Sequence, residues 1–294
     1  MHALYAYKQA SCEDLNQTQQ YLDDSLKLTY NLYVCLNKVI ADVLDYSTTD
    51  VELVSNKYIK TDEDQLVTKE WLDFNFIKGL SEFDFKKYFR KQKIEINADD
   101  ELYKHLYQAF KSDPEYQDIV KKGLGDKKAQ VYALQYLLAD IIMNHEDFDN
   151  FMEEHWLNWE DEKEFVLNAV LKTIKACKSG NKSPIFDESY KGFDDDRSFI
   201  KNLLKSCIYD GEETLALIGE HAKNWDIERI TLLDKVVLLL GITEMQTSEV
   251  PLRVSLDEYI EISKMYSTPK SKDFVNGVLD KVMKDIVKSG AKEQ

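Results

Sequence analysis

Side chains capable of chemistry are plentiful here, but their spacing assembles no familiar catalytic set. The five histidines, His2, His105, His145, His155 and His221, are scattered without the short intervals that metal ligands share. Cys12, Cys35, Cys177 and Cys207 form no CxxC pair and read as free, partly buried thiols in a reducing compartment. No GxGxxG, GxxxxGKS/T, HExxH or GxSxG segment occurs. The acidic runs Asp194-Asp195-Asp196 and Glu160-Asp161-Glu162 precede expected helices, where negative charge suits the positive end of the helix dipole. The expectation is a protein that is not an enzyme and holds no metal and no cofactor.

Residues suited to binding gather near the C-terminus. Tyr266 stands just before Ser267-Thr268-Pro269, and a loop aromatic can offer its face to an unstacked base. Lys264, Lys270 and Lys272 cluster beside it, where ammonium groups can meet phosphates or simply solvate a helix start. Phe274 reads either as core or as a base platform. Asn276-Gly277 lies inside an expected helix, and a glycine there suggests close approach of another helix. Asp234-Lys235 interrupts an otherwise apolar helix and reads as its wet edge.

The elements that must position these residues are helical. The chain has 294 residues with only 10 Gly and 4 Pro, against roughly 20 and 15 at average usage. So few turn-formers disfavour a β-sandwich or a Rossmann fold. Apolar residues recur at helical spacing over about 15–46, 63–80, 98–111, 127–144, 146–156 and 161–177. The last third adds helices near 195–209, 212–223, 228–245, 256–266 and 270–288. Strand-like alternation is confined to Lys93-Ile94-Glu95-Ile96, too short for a sheet. Ser255-Leu256-Asp257-Glu258 has the form of a capping box, with Val254 and Tyr259 at staple spacing. Thr268-Pro269 supplies an N-cap followed by proline at the first helical position. The class is all-α.

The turn-rich stretch Lys178-Ser179-Gly180-Asn181-Lys182-Ser183-Pro184 divides the chain into an N-terminal helical region, 1–190, and a C-terminal helical domain, 191–294. Charge divides there too. The net charge is −16, but residues 191–294 hold 15 Lys and Arg against 19 Asp and Glu, and residues 1–190 hold 23 against 35. The surplus excludes a general nucleic-acid sponge, yet it describes the first region more than the last. The longest apolar run, Val236–Ile242, is far shorter than the roughly 20 residues a bilayer span needs, and no signal layout opens the chain. A cytoplasmic location without membrane contact is expected. A shift of 66 residues also aligns 129–174 with 195–240 without a gap, laying Glu154-His155-Trp156-Leu157-Asn158-Trp159 on Glu220-His221-Ala222-Lys223-Asn224-Trp225. This suggests a duplicated helical unit.

Residues 227–282 carry the most specific pattern. A long apolar-faced helix containing Asp234-Lys235 is followed by Val250-Pro251, then Ser255-Leu256-Asp257-Glu258, then Phe274-Val275-Asn276-Gly277-Val278-Leu279-Asp280-Lys281. This resembles the C-terminal half of the NusB family of bacterial transcription antitermination factors, over roughly residues 190–288. His2-Ala3-Leu4-Tyr5-Ala6-Tyr7 is similar to the end of that family's first helix. The resemblance places this helix at 1–12 and makes residues 10–190 an insertion or a degenerate extra copy. It implies NusB-like helical bundles that bind boxA-type RNA jointly with NusE, a ribosomal protein, within the RNA polymerase antitermination complex on ribosomal RNA operons. By motif position it places Tyr266 and Phe274 against RNA, with Asn276 on the same helix and His221 near that face. It directs Asp234, with Lys235 beside it, towards NusE. Two departures from the family pattern stand out. The Arg-rich opening lies before where this chain starts, and Lys270 stands where an acidic residue is common. Tight RNA binding is therefore expected to need the partner. The alternative is a scaffold of the same fold that has lost RNA binding. An RNA-modifying enzyme is a third reading, without a cofactor-binding strand–Gly–helix unit to support it.

Overall fold

The computed structural model describes residues 1–9, 14–59, 61, 63–68, 70–96, 100–177, 191–222 and 230–291. Cys12, the linker Lys178–Pro184 and the segment with Lys223, Asn224, Trp225 and Arg229 lie outside the described residues, as do the side chains of Asp194-Asp195-Asp196. Among the described residues there are fourteen α-helices and no strand. They are α1 (His2–Gln9), α2 (Leu15–Ser55), α3 (Asn75–Ser81), α4 (Phe85–Gln92), α5 (Asp100–Ser112), α6 (Pro114–Lys122) and α7 (Lys127–Tyr136). There follow α8 (Glu146–His155), α9 (Trp159–Cys177), α10 (Lys191–Tyr209), α11 (Gly211–His221), α12 (Leu232–Thr247), α13 (Leu252–Tyr266) and α14 (Pro269–Lys288).

The chain divides into two compact units, Met1–Leu26 with Lys191–Gln294, and Lys27–Tyr190. In the first unit α12 is the central element. It packs against α1, α10, α11, α13 and α14, and Val236 through Thr243 are all buried. A helix apolar on every side has no face to give to water, so its neighbours must surround it. Close approach falls at Gly241, where an added Cβ would lie 3.1 Å from Leu279 Cδ2 and 3.1 Å from the Tyr259 ring. It does not fall at Gly277, where a Cβ would meet nothing within 4 Å. The expectation of helix contact at Gly277 is corrected: that residue faces outward, and its missing Cβ creates no room for a neighbour.

The capping-box reading of Ser255 is also corrected. α13 begins at Leu252, four residues before the expected start at 256, after Pro251 with φ −56° and ψ 134°. Ser255 is then an interior helical residue, and its hydroxyl donates to Glu244 Oε1 at 2.7 Å. Tyr259 donates to the other oxygen of that carboxylate at 2.8 Å. Thr268 caps α14 as its sequence suggests, accepting from the Ser271 N–H at 3.3 Å, with Pro269 in the first turn.

The second unit packs around the middle of α2, through Leu32, Leu36, Ile40 and Leu44, and around buried Trp71, Phe110, Phe148 and Trp159. Two of its segments depart from the periodicity, and two short helices fall where none is expected. Over 63–80 the expected helix resolves into 3-10 turns at Glu63–Leu66 and Glu70–Asp73 before α3. Asp64 there accepts from the Thr61 N–H at 2.8 Å and Thr68 Oγ1 from the Glu70 N–H at 3.1 Å, side-chain bonds that compete with helix closure. Over 127–144 the helix relaxes into a π segment, Leu137–Ile142, where the Met143 N–H reaches Leu138 O at 3.0 Å. Helices α4 and α6 are short, with Asp84 and Asp113 as N-caps. Under the 66-residue shift, α7, α8 and α9 fall on α10, α11 and α12 in order. Leu138 and Leu204, Met152 and Ile218, Trp156 and Ala222, and Val170 and Val236 are buried at both members of each pair.

Candidate nucleic-acid interface

The turn between α13 and α14 is built on a buried carboxylate. Asp234 lies in the first turn of α12, its N–H donating to the Thr231 cap at 3.1 Å. The side chain is buried, with 4% of the residue exposed. Oδ1 accepts from Ser267 Oγ at 2.6 Å and Oδ2 from Ser271 Oγ at 2.9 Å. Ser267 ends α13 and Ser271 lies in the first turn of α14, so one carboxylate ties three helix ends together. The expected wet edge therefore holds only for its neighbour Lys235, which is half-exposed. The carboxylate directed by resemblance towards a protein partner makes its bonds within the chain.

Tyr266 is the last residue of α13, and Lys270 and Lys272 lie near the start of α14, on either side of the Ser271 that this frame holds. Tyr266 is half-buried, with the ring of His2 edge-on at 5.1 Å and 89°. Sequence reading gave His2 no role, because nothing local links residue 2 to residue 266. Lys270 is exposed and Lys272 half-exposed. Lys264 is exposed but engaged by Glu261 one turn before it. Helix α14 carries five lysines against three aspartates, a positive element on an acidic chain. Its outer side shows Lys270, Asp273, Asn276, Gly277, Lys281 and Lys284 to solvent at helical spacing.

Phe274 does not join them. It is buried, with 4% exposed, in the core with Val275, Val278 and Leu279. The reading of Phe274 as a base platform is corrected, because its helix turns that position inward, against α12 and α13. His221, at the end of α11, is half-buried towards the other end of α14. Its Nε2 lies 3.5 Å from Asp285 Oδ2, and its carbonyl accepts from Lys281 Nζ at 2.9 Å. Asn276 is exposed between the two ends.

Other reactive groups are quiet or structural. Cys35, Cys177 and Cys207 are buried, and burial pushes the Cys35 thiol up to about 12 and Cys207 up to about 11. Protonated thiols are poor nucleophiles. Asp149, Glu153 and Glu160 place carboxylate oxygens within 4.8 Å of one another where α8 meets the start of α9. Asp149 there already accepts from Trp159 Nε1 at 2.7 Å and Glu160 from Lys163 Nζ at 2.7 Å. Residues 140–164 hold ten acidic side chains against Lys163 alone, and Leu157 within this stretch and Phe165 just after it are exposed. No helix among the described residues is long and apolar enough to cross a membrane.

Comparison with known proteins finds a likeness over the C-terminal part of the chain. Residues 179–284 match the model of the NusB family. The transcription antitermination protein NusB of Salinibacter ruber (strain DSM 13855 / M31) is 43% identical over 95 residues, 32% of this chain and 59% of that protein. The proteins of that name from Chloroherpeton thalassium (strain ATCC 35110 / GB-78) and Methylacidiphilum infernorum (isolate V4) are 38% identical over 95 residues and 40% over 91. These cover 32% and 31% of this chain, and 45% and 64% of those proteins. The chain thus spans about half to two-thirds of the length of these curated relatives. No solved structure matches. The stretch that matches the NusB family model, residues 179–284, holds the α13–α14 turn and the central helix α12.

Proposed function

We propose that the protein is a transcription antitermination factor that acts without catalysis, binding boxA-type RNA together with the ribosomal protein NusE in the RNA polymerase antitermination complex. The observation that carries this reading is the position of Tyr266, Lys270 and Lys272 at the α13–α14 turn, inside the stretch that matches the NusB family model. An aromatic for stacking and ammonium groups for phosphates are what single-stranded RNA recognition uses. Asn276 and His221 extend the same face along α14. Lys235, at the start of α12 and half-exposed, is the candidate for the protein partner. Residues 27–190 are then an inserted unit, in part a degenerate copy of the helices that follow, and the site of action is the cytoplasm.

The test is a titration of labelled boxA-type RNA with this chain, with and without NusE, across a salt series. A weak, salt-steep complex that NusE strengthens is expected. No shift in the presence of NusE would refute the reading. The acidic band at 140–164, with Leu157 exposed within it and Phe165 exposed beside it, favours a second reading, a protein-interaction scaffold of this fold. That reading predicts NusE binding without RNA affinity.

A further inference from the structure

The Asp234 junction has a consequence for RNA recognition that rests on the function proposed above. A carboxylate is costly to bury, and the cost is recovered only when its oxygens are well bonded. Here both bonds come from hydroxyls, Ser267 at 2.6 Å and Ser271 at 2.9 Å. The two serines bracket a turn whose own closure is local: Thr268 Oγ1 lies 2.9 Å from Ser271 Oγ and caps the Ser271 N–H. The Ser267 N–H donates to Ser263 O at 3.0 Å, ending α13. The carboxylate is thus what joins this turn to the central helix. Tyr266 immediately precedes the bracketed segment, Lys270 lies within it and Lys272 immediately follows.

We propose that Asp234 is a positioning residue for RNA: it touches none itself, and sets the turn so that Tyr266, Lys270 and Lys272 form one surface before RNA arrives. A surface already ordered binds without paying the entropy of fixing several backbone residues. The proposal differs from the role that family resemblance assigns to this position, a direct contact with NusE. The two are separable because an amide can keep the internal bonds while losing the charge. Asn offers an acceptor to one serine and a donor to the other, and a serine hydroxyl can take either part.

The experiment measures boxA-type RNA binding by the full chain carrying Asp234→Ala, Asp234→Asn, Tyr266→Ala or Asp234→Ala with Tyr266→Ala, in the presence of NusE. Circular dichroism checks that each variant is folded, and hydrogen exchange follows the amides of Ser267 to Lys272. Asp234→Ala is expected to weaken binding about tenfold, the scale of one or two backbone residues left to be ordered. Its salt slope should match wild type, because no phosphate contact is removed. Asp234→Asn should restore most of the affinity. The double variant should lose less than the two single losses combined, since Asp234 acts through Tyr266. Faster exchange confined to the turn, with α12 still protected, should accompany the loss.

RNA affinity within twofold of wild type in Asp234→Ala would overturn the proposal, as would additive losses. So would an Asp234→Asn variant that fails to bind NusE while its RNA binding without NusE is unchanged, since that is the signature of a direct partner contact. A wild-type chain that binds no RNA even with NusE would overturn the proposal and the RNA-binding function together, whereas the other results leave that function standing.

Discussion

Asp23 is the clearest place to test how the first unit is held together. It lies in α2 and its side chain is only 10% exposed. Arg197 on α10 grips it with Nε to Oδ1 and Nη2 to Oδ2, both at 2.7 Å, and Lys201 adds a bond to Oδ2 at 2.8 Å. Hydrogen bonds to charged groups contribute about 1.5–3 kcal/mol each when shielded, while exposed ion pairs contribute only about 0.2–1 kcal/mol. Arg197 is 41% exposed and Lys201 27%, so the clamp falls between these limits. Asp23→Ala should cost about 2 kcal/mol, which is about a thirtyfold faster opening. Hydrogen exchange of α10 amides reads this directly in the unit that carries the clamp.

The pH dependence has a definite sign. Arg197 and then Lys201 hold the Asp23 carboxyl well below the ordinary carboxylate range. A depressed folded value means that the stabilisation is complete above the unfolded value of about 4 and is lost as pH falls through the folded one. The difference between wild type and Asp23→Ala, corrected for intrinsic exchange, should therefore shrink only under strongly acid conditions. Less than a threefold change in α10 exchange at neutral pH, or a difference that vanishes already near pH 6, would refute the argument.

Three further predictions concern packing and the proposed interface. Gly241→Ala should lower the melting temperature, because the overpacking cost of about 1–3 kcal/mol against Tyr259 and Leu279 exceeds a helix-propensity gain of about 1 kcal/mol, while Gly277→Ala should raise it. Phe274→Ala should cost about 3–5 kcal/mol in urea unfolding and leave the RNA affinity of the folded fraction near wild type; a selective affinity loss would restore the ring to the RNA face. Lys270→Ala and Lys272→Ala should each flatten the dependence of log affinity on log salt by about 0.7, the single-strand value per phosphate contact, with little effect on stability.

Local chemistry settles much of this protein before any tertiary contact forms. Scarce Gly and Pro and an i, i+3, i+4 rhythm dictate helices, because backbone closure and one apolar stripe are properties of neighbours in sequence. The Thr268-Pro269 cap and the apolar run Val236–Ile242 announce a helix start and a central helix for the same reason. Where a side chain had a competing local partner, the rhythm misled: Thr61 with Asp64, and Thr68 with Glu70, break what periodicity alone reads as one helix. The roles of single residues were decided across distance. Ser255 looks like a cap until Glu244 of another helix takes its hydroxyl. Asp234 looks like a wet edge until Ser267 and Ser271 fold over it. Gly277 looks like the point of close approach, yet Gly241 is where three helices meet. Periodicity says that one side of a helix is buried, but only the neighbours that bury it decide which polar atoms find partners. At the α13–α14 turn those partners come from α12, more than 30 residues earlier in the chain.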